Sequence, residues 1–316
     1  MRFYPLVILS LLASQAANAI SFQTRLEKVE WKVEGDKFEC RLSQPIANFG
    51  SGVFVRRAGE QATFTLETQE RWLGAGQATL LAAAAPWQPG RGDINLGAVS
   101  VNGVPGVFNS SQEQGTRLLT GLLEGRSPVV RHRTAAGRDP IEVRLLPVKF
   151  GDAYQEYLAC TAKLLPVNFD QIRKTQVGFP GGGIDLEPLA MAKLDIILDF
   201  IKADPTVNRI QLDGHADNSG NRLTNRDMSR RRALAVMEYL KARGFPEEQI
   251  TVRFHGERYP VVPNNSAANR AKNRRVTLLL ERVPEAEVAP QPQAAPESAP
   301  AAEEAAPTST SEAKPV

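Results

Sequence analysis

The sequence predicts an α+β protein in two folded parts: a mostly antiparallel β part with two short helices over residues 20–166, and a β-α-β-α-β-α-β part over 167–283 with its helices on one sheet. Three observations carry this reading. Before residue 166, apolar residues alternate with polar ones, the period of a half-buried strand. After it, two long stretches place apolar residues at helical spacing between short apolar runs. From Pro284 to Val316 the composition shifts to Pro, Ala and Glu, with too little apolar mass to offset the entropy of ordering. Over all 316 residues, 42% are hydrophobic, enough for two ordinary cores.

Residues 1–19 read as a secretory signal. Arg2 gives a positive start, Leu6 to Ala13 is a short apolar core, and Ala17-Asn18-Ala19 is a small-x-small cleavage site, so the mature chain is expected to begin near Ile20. That apolar core is too short to span a bilayer. Export places Cys40 and Cys160, the two cysteines, where a bridge can persist, the alternative being two buried free thiols. Both fall near the ends of the first part. A bridge closing a loop of roughly 120 residues stabilises by about 5 kcal/mol at most. Two cysteines exclude a dense disulfide scaffold and a multi-cysteine zinc site.

Within the first part, Val29-Trp31-Val33, Phe64 and Leu66, and Ile141-Val143-Leu145 alternate with polar neighbours. Gly35-Asp36, Ala58-Gly59, Pro89-Gly90-Arg91-Gly92-Asp93 and Asn102-Gly103 separate the strands. One helix is predicted over 112–124, with Leu118-Leu119 and Leu122-Leu123 on one side. A second is predicted from Asp152 as N-cap through Tyr154, Tyr157, Leu158 and Thr161. The tryptophans Trp31, Trp72 and Trp87 are expected in core or turn packing. No phosphate loop and no His/Cys/Asp cluster interrupts this part.

In the second part, Val167-Asn168-Phe169 is expected to open a strand. Asp185 is the expected N-cap of a helix carrying Leu189, Leu194, Ile197, Leu198 and Ile201, which Pro205 stops. A strand over 210–212 leads to a helix from about Asn225 to Arg243, ended by Gly244. Then follow a strand over 250–254, a short helix over 267–272 and a last strand over 275–281.

The turn Gly214-His215-Ala216-Asp217-Asn218-Ser219-Gly220 and the helix after it carry the chemistry. At about 3.6 residues per turn, Ala233, Val236, Met237 and Leu240 form the apolar stripe. Arg231 then points away to solvent, and Arg232 lies on the seam between helix and sheet. Asp217 ends the preceding strand. A carboxylate and a guanidinium flanking one cleft suit a zwitterion, with the ammonium on Asp217 and the carboxylate on the fork of Arg232. Asn225 adds an amide near the helix start. The same two charges can instead form an internal Asp217–Arg232 ion pair that fastens the turn.

These residues carry a resemblance. Gly214-His215-Ala216-Asp217-Asn218-x-Gly220, Asn225-x-x-Met228-Ser229-x-x-Arg232-Ala233, Gly256-Glu257-x-x-Pro260 and Asn273-Arg274-Arg275-Val276 resemble the OmpA-like peptidoglycan-binding family over 167–283. The resemblance implies binding of the diaminopimelate of the stem peptide by Asp217 and Arg232, with Asn225 in the contact loop. Ala216 and Met228 depart from the Thr and Leu frequent there. The first part is similar to the N-terminal domain of the MotY family of flagellar-motor accessory proteins. The residues are Cys40-Arg41-Leu42-x-x-Pro45-Ile46, Phe49-Gly50-x-x-Val53-Phe54, Arg57-Ala58, Pro86-Trp87-x-Pro89-Gly90, Leu123-Glu124-Gly125-Arg126-x-Pro128, Ile141-Glu142-Val143 and Cys160 before Leu164-Leu165. This implies a periplasmic protein of the T ring. Its first part would dock on the flagellar basal body and a MotX-like partner. Its second would grip peptidoglycan and help hold the stator B subunit. The alternative is a general envelope linker that fixes another outer-membrane complex to the wall.

Other function classes lack their residues. A wall hydrolase needs a nucleophile and base, a metal or a carboxylate pair in one cleft, and none is legible, so no enzyme and no cofactor are expected. His215, His255 and Asp217 lack metal-ligand spacing. Arg222, Arg226 and Arg230, followed by Arg231-Arg232, resemble a nucleic-acid surface, but export favours a solvated face that attracts anionic wall polymer. The chain's net charge of +3 includes a tail with six Glu against one Lys, so the folded part is the more basic.

Overall fold

The structure, a computed structural model, describes residues 20–68, 72–85, 87–88, 90–102, 108–132 and 140–284. The expected export signal and, from 285 onward, the Pro/Ala/Glu tail lie outside the described residues, as do Pro86, Pro89 and Gly103. No helix among the described residues is long and apolar enough to cross a membrane.

The first unit contains β1 (Ile20–Phe22), β2 (Lys32–Gly35), β3 (Glu39–Ile46), β4 (Gly50–Arg57), β5 (Thr63–Glu67), β6 (Gly76–Ala83), β7 (Ile94–Val101), α1 (Gln112–Leu123), β8 (Ser127–His132), β9 (Ile141–Arg144) and α2 (Phe150–Thr161). Its strands form two sheets, in the orders β2-β3-β4-β5 and β1-β9-β8-β6-β7. Every pairing is antiparallel except β1 with β9. Leu42, Phe54, Phe64 and Leu66 from the first sheet meet Leu80, Val130 and Val143 from the second, with Leu118 and Leu122 of α1. Ser111 and Gln114 form a reciprocal capping box at the start of α1, satisfying two otherwise orphaned N–H groups.

The Cys40–Cys160 disulfide ties β3 to α2 across 120 residues of sequence, with the Cα atoms 6.1 Å apart. Helix α2 starts two residues before the expected Asp152, with Lys149 as its left-handed N-cap, and Asp152 lies in the first turn. Burial explains the earlier start: Phe150 is enclosed, its ring 5.0 Å from Trp31. Trp87 departs from the packing expectation, being 67% exposed.

The second unit contains α3 (Phe169–Ile172), β10 (Lys174–Gly178), α4 (Pro188–Ala203), β11 (Val207–His215), α5 (Arg222–Ala242), β12 (Ile250–Phe254), α6 (Ala267–Asn273) and β13 (Arg275–Arg282). The sheet order is β10-β13-β11-β12, with only β11 and β12 parallel. Period-two residues Ile210 and Leu212 of β11, and Val276, Leu278 and Leu280 of β13, share one core. Leu194, Ile197 and Leu198 of α4 and Ala233, Val236 and Leu240 of α5 join them there. The expected helix-on-sheet arrangement is therefore present.

Three starts differ from the sequence reading. Asn168 caps α3 instead of opening a strand, because Asn168 and Gln171 make a capping box. Helix α4 begins at Pro188 after Glu187, not at Asp185, since proline's fixed φ and missing N–H suit the first helical position. Helix α5 begins at Arg222, a turn before Asn225, because the Asn221 side chain accepts the Thr224 N–H. The two units touch through segment 165–171. There the Asn168 amide donates to the Ala58 carbonyl and Arg57 pairs with Asp170. The Phe38 ring also packs edge-on against Phe200, 5.6 Å between centroids.

Candidate functional site

Two parallel strands, β11 and β12, end side by side at Gly214 and Phe254. The chain leaves β11 through the turn holding Asp217 and returns as α5. Its close return depends on Gly214, where a Cβ would lie 2.1 Å from the Ser229 carbonyl oxygen. Ser229 fastens the helix to the neighbouring loop: its hydroxyl accepts the Gly256 N–H and donates to the Arg226 carbonyl.

The structure brings Asp217, Asn225 and Arg232 to this end of the sheet, all buried. It does not pair Asp217 with Arg232. The Asp217 carboxylate instead accepts from Arg274 at 2.7 Å and from the Ser219 N–H at 2.8 Å. Burial alone would raise its pKa, but these donors outweigh it and hold the carboxyl below its ordinary value.

Arg232 is only 2% exposed, and its guanidinium is engaged by carbonyls. It donates to Gly183 at 2.9 Å, Gly182 at 2.6 Å and His215 at 3.4 Å, and lies over the Phe179 ring. Gly182, at φ +84°, has the backbone freedom that turns successive carbonyls onto one fork. Burial pushes the Arg232 pKa down to about 10, and the nearby charge of Arg274 adds to the effect. Arg274 donates to the carbonyls of Phe179 and Pro180. Two guanidiniums thus hold the loop 179–183 from below, with one carboxylate between chain segments to balance them.

Asn225 shapes this site. Its amide donates to the Gly220 carbonyl and to the Glu257 carboxylate, closing the turn that presents Asp217. Arg231 is exposed, as the helical wheel predicts. Sequence reasoning gave Arg274 no role. Its signal was the Asn273-Arg274-Arg275 run ahead of β13, but only the pairing of β13 with β11 puts that run beside Asp217. His215 and His255 stack 5.1 Å apart, and His255 bonds the Asp213 carboxylate at 2.8 Å. Among the described residues no His/Cys/Asp/Glu group is arranged to hold a metal.

Two guanidiniums and one carboxylate at one end of the sheet are groups with the charge to attract a ligand carboxylate and an ammonium. Comparison with known proteins gives context. Residues 22–166 match the family described as MotY N-terminal domain, and residues 178–274 match the OmpA family. The chain is 28% identical over 283 residues to the sodium-type flagellar protein MotY of Vibrio parahaemolyticus, covering 87% of this chain and 96% of that one. It is 39% identical over 94 residues to the peptidoglycan-associated lipoprotein of Pseudomonas putida, covering 30% of this chain and 55% of that protein. Among solved structures, the peptidoglycan-associated lipoprotein of Burkholderia pseudomallei is similar at TM-score 0.32 and 25% identity, over 34% of this chain and 89% of that one.

Proposed function

The chain is a MotY N-terminal domain joined to an OmpA-family domain, and from that premise we propose that it is a non-enzymatic periplasmic component of the flagellar motor that anchors to peptidoglycan. In this reading a signal over residues 1–19 is removed. Residues 20–166 dock in the T ring on the basal body and a MotX-like partner. Residues 167–283 grip the wall and help hold the stator B subunit. Similarity to a flagellar MotY along most of the chain supports the motor part.

The observation that carries the wall-binding part is the Asp217–Arg274 pair beside the buried Arg232. Diaminopimelate ends in a head bearing one ammonium and one carboxylate. The carboxylate enters between the two guanidiniums and relieves their repulsion, the loop 180–183 gives way to it, and the ammonium meets Asp217. Asn225 holds the turn in place. Asp217→Asn keeps the side chain's size and removes the counter-charge. Co-sedimentation with purified peptidoglycan should weaken about tenfold or more, the equivalent of one charge-assisted hydrogen bond. Free diaminopimelate should compete with the wall, and lysine, which lacks the second head, should not. Wild-type protein that pellets with the wall regardless of diaminopimelate would refute the cleft. Basal-body foci of a fluorescent fusion that persist in cells without flagella would refute the motor assignment.

A further inference from the structure

The helix α5 opens against its own electrostatics. A helix N-terminus carries partial positive charge, so acidic residues belong there, yet its first turn has none and begins with Arg222. Arg226 follows one turn later. With Arg258, from the loop after β12, these two arginines line a cleft of about 500 Å³. Elsewhere arginines such as Arg41, Arg131, Arg144 and Arg282 are paired with carboxylates. Among the described residues, none of the three cleft arginines has a carboxylate partner. Arg226 lies over the Phe254 ring, 5.2 Å from its centroid, which fixes its plane. The acidic residue of the lining, Glu257, is already engaged by the Asn225 amide. The cleft therefore keeps an excess of exposed guanidinium charge over an aromatic floor, which is the arrangement that recognises carboxylates.

The cleft shares a wall with the site of Asp217. Asn225 touches both: its amide bonds Gly220 in the Asp217 turn and Glu257 in the cleft. A ligand held at Asp217 thus has its neighbouring groups next to three free arginines. The wall's stem peptide carries carboxylates outside its diaminopimelate head, at its peptide terminus and at its γ-linked glutamate. We infer that the cleft is a second subsite of the wall-binding surface, in which Arg222, Arg226 and Arg258 take a stem-peptide carboxylate other than that of the diaminopimelate head. The inference rests on the wall-binding reading and extends it.

The test uses full-length protein and soluble muropeptides, in two forms: with free carboxylates and with the carboxylates outside diaminopimelate amidated. Two double variants remove the same charge. Arg222→Gln with Arg258→Gln changes the cleft. Arg230→Gln with Arg231→Gln changes exposed arginines of the same helix that do not line the cleft. The cleft double should bind the free muropeptide about tenfold more weakly, and the control double within about twofold of wild type. Amidation should weaken wild-type binding by the same factor and leave the cleft double unchanged, while the affinity for free diaminopimelate stays constant in every protein. Equal losses for the two doubles would mean diffuse attraction and overturn the subsite. So would an amidation effect that persists in the cleft double. If removing residues 285–316 abolishes the difference between the doubles, the cleft serves the chain's own acidic tail and the inference falls. A wild type that does not bind free diaminopimelate is a different result, and it removes the wall-binding reading itself.

Discussion

Acidification should destabilise the second unit through His215. His215 is 6% exposed, its ring stacked on His255 and near Arg275, and its Nδ1 has no hydrogen-bond partner. Burial, reinforced by Arg275 and His255, lowers its pKa from 6.5 to about 4. Between those values the unfolded chain binds a proton that the folded protein refuses. Stability is therefore complete above about pH 6.5 and falls as pH drops toward 4. The full shift corresponds to about 3 kcal/mol, of which about 2 kcal/mol is lost by pH 5. Asp213 and Asp217, whose pKa values are lowered, act below the ordinary carboxylate range, so their window is separate. Urea unfolding of the wild type from pH 7.5 to 5, followed by far-UV circular dichroism, should show the midpoint of this unit falling by roughly 1 M. His215→Phe preserves a ring for stacking and cannot titrate, so its midpoint should stay nearly flat over the same range. Parallel profiles for the two proteins would refute the assignment of the effect to His215.

Other perturbations have equally definite outcomes. Replacing both cysteines by serine should cost about 2–5 kcal/mol, read as an earlier unfolding transition of the first unit and little change in the second. Arg232→Ala leaves the carbonyls of Gly182, Gly183 and His215 without their buried donor. It should lower stability by about 3 kcal/mol or more, whereas Arg231→Ala should stay within about 0.5 kcal/mol, both measured by thermal unfolding. Arg232 is thus a poor site for a binding test by alanine alone, and its effect on wall binding is better read from Arg232→Lys in protein shown to be folded. Gly214→Ala drives a methyl group into the Ser229 carbonyl, so soluble yield and melting temperature should both fall sharply.

The periodicities legible in the sequence are those that local physics sets. Leu194, Ile197 and Leu198 on α4, and Ala233, Val236 and Leu240 on α5, fall on the faces that the 3.6-residue period assigns them. The Cys40–Cys160 bridge was expected from a count of two cysteines and the expectation of export, and the bond is present. Element starts were less legible, because one depends on a contact far along the chain and others on short capping motifs outside the apolar period. Burial of Phe150 against Trp31 moved α2 upstream of Asp152. Local capping at Asn168 and Asn221 sets two more starts.

The site divides in the same way. The sequence by itself placed a carboxylate, an amide and a guanidinium, Asp217, Asn225 and Arg232, along one turn-helix segment. It could not determine which charge meets which. That depends on β13 running antiparallel beside β11, a pairing across some sixty residues that sets Arg275 against His215 and so carries Arg274 to Asp217. It depends too on the glycine loop after β10 folding over Arg232, so that backbone carbonyls rather than a carboxylate satisfy the buried guanidinium. Spacing along a helix fixes the direction a side chain takes. The partner it meets is supplied by strands and loops distant in sequence, and only their assembly decides it.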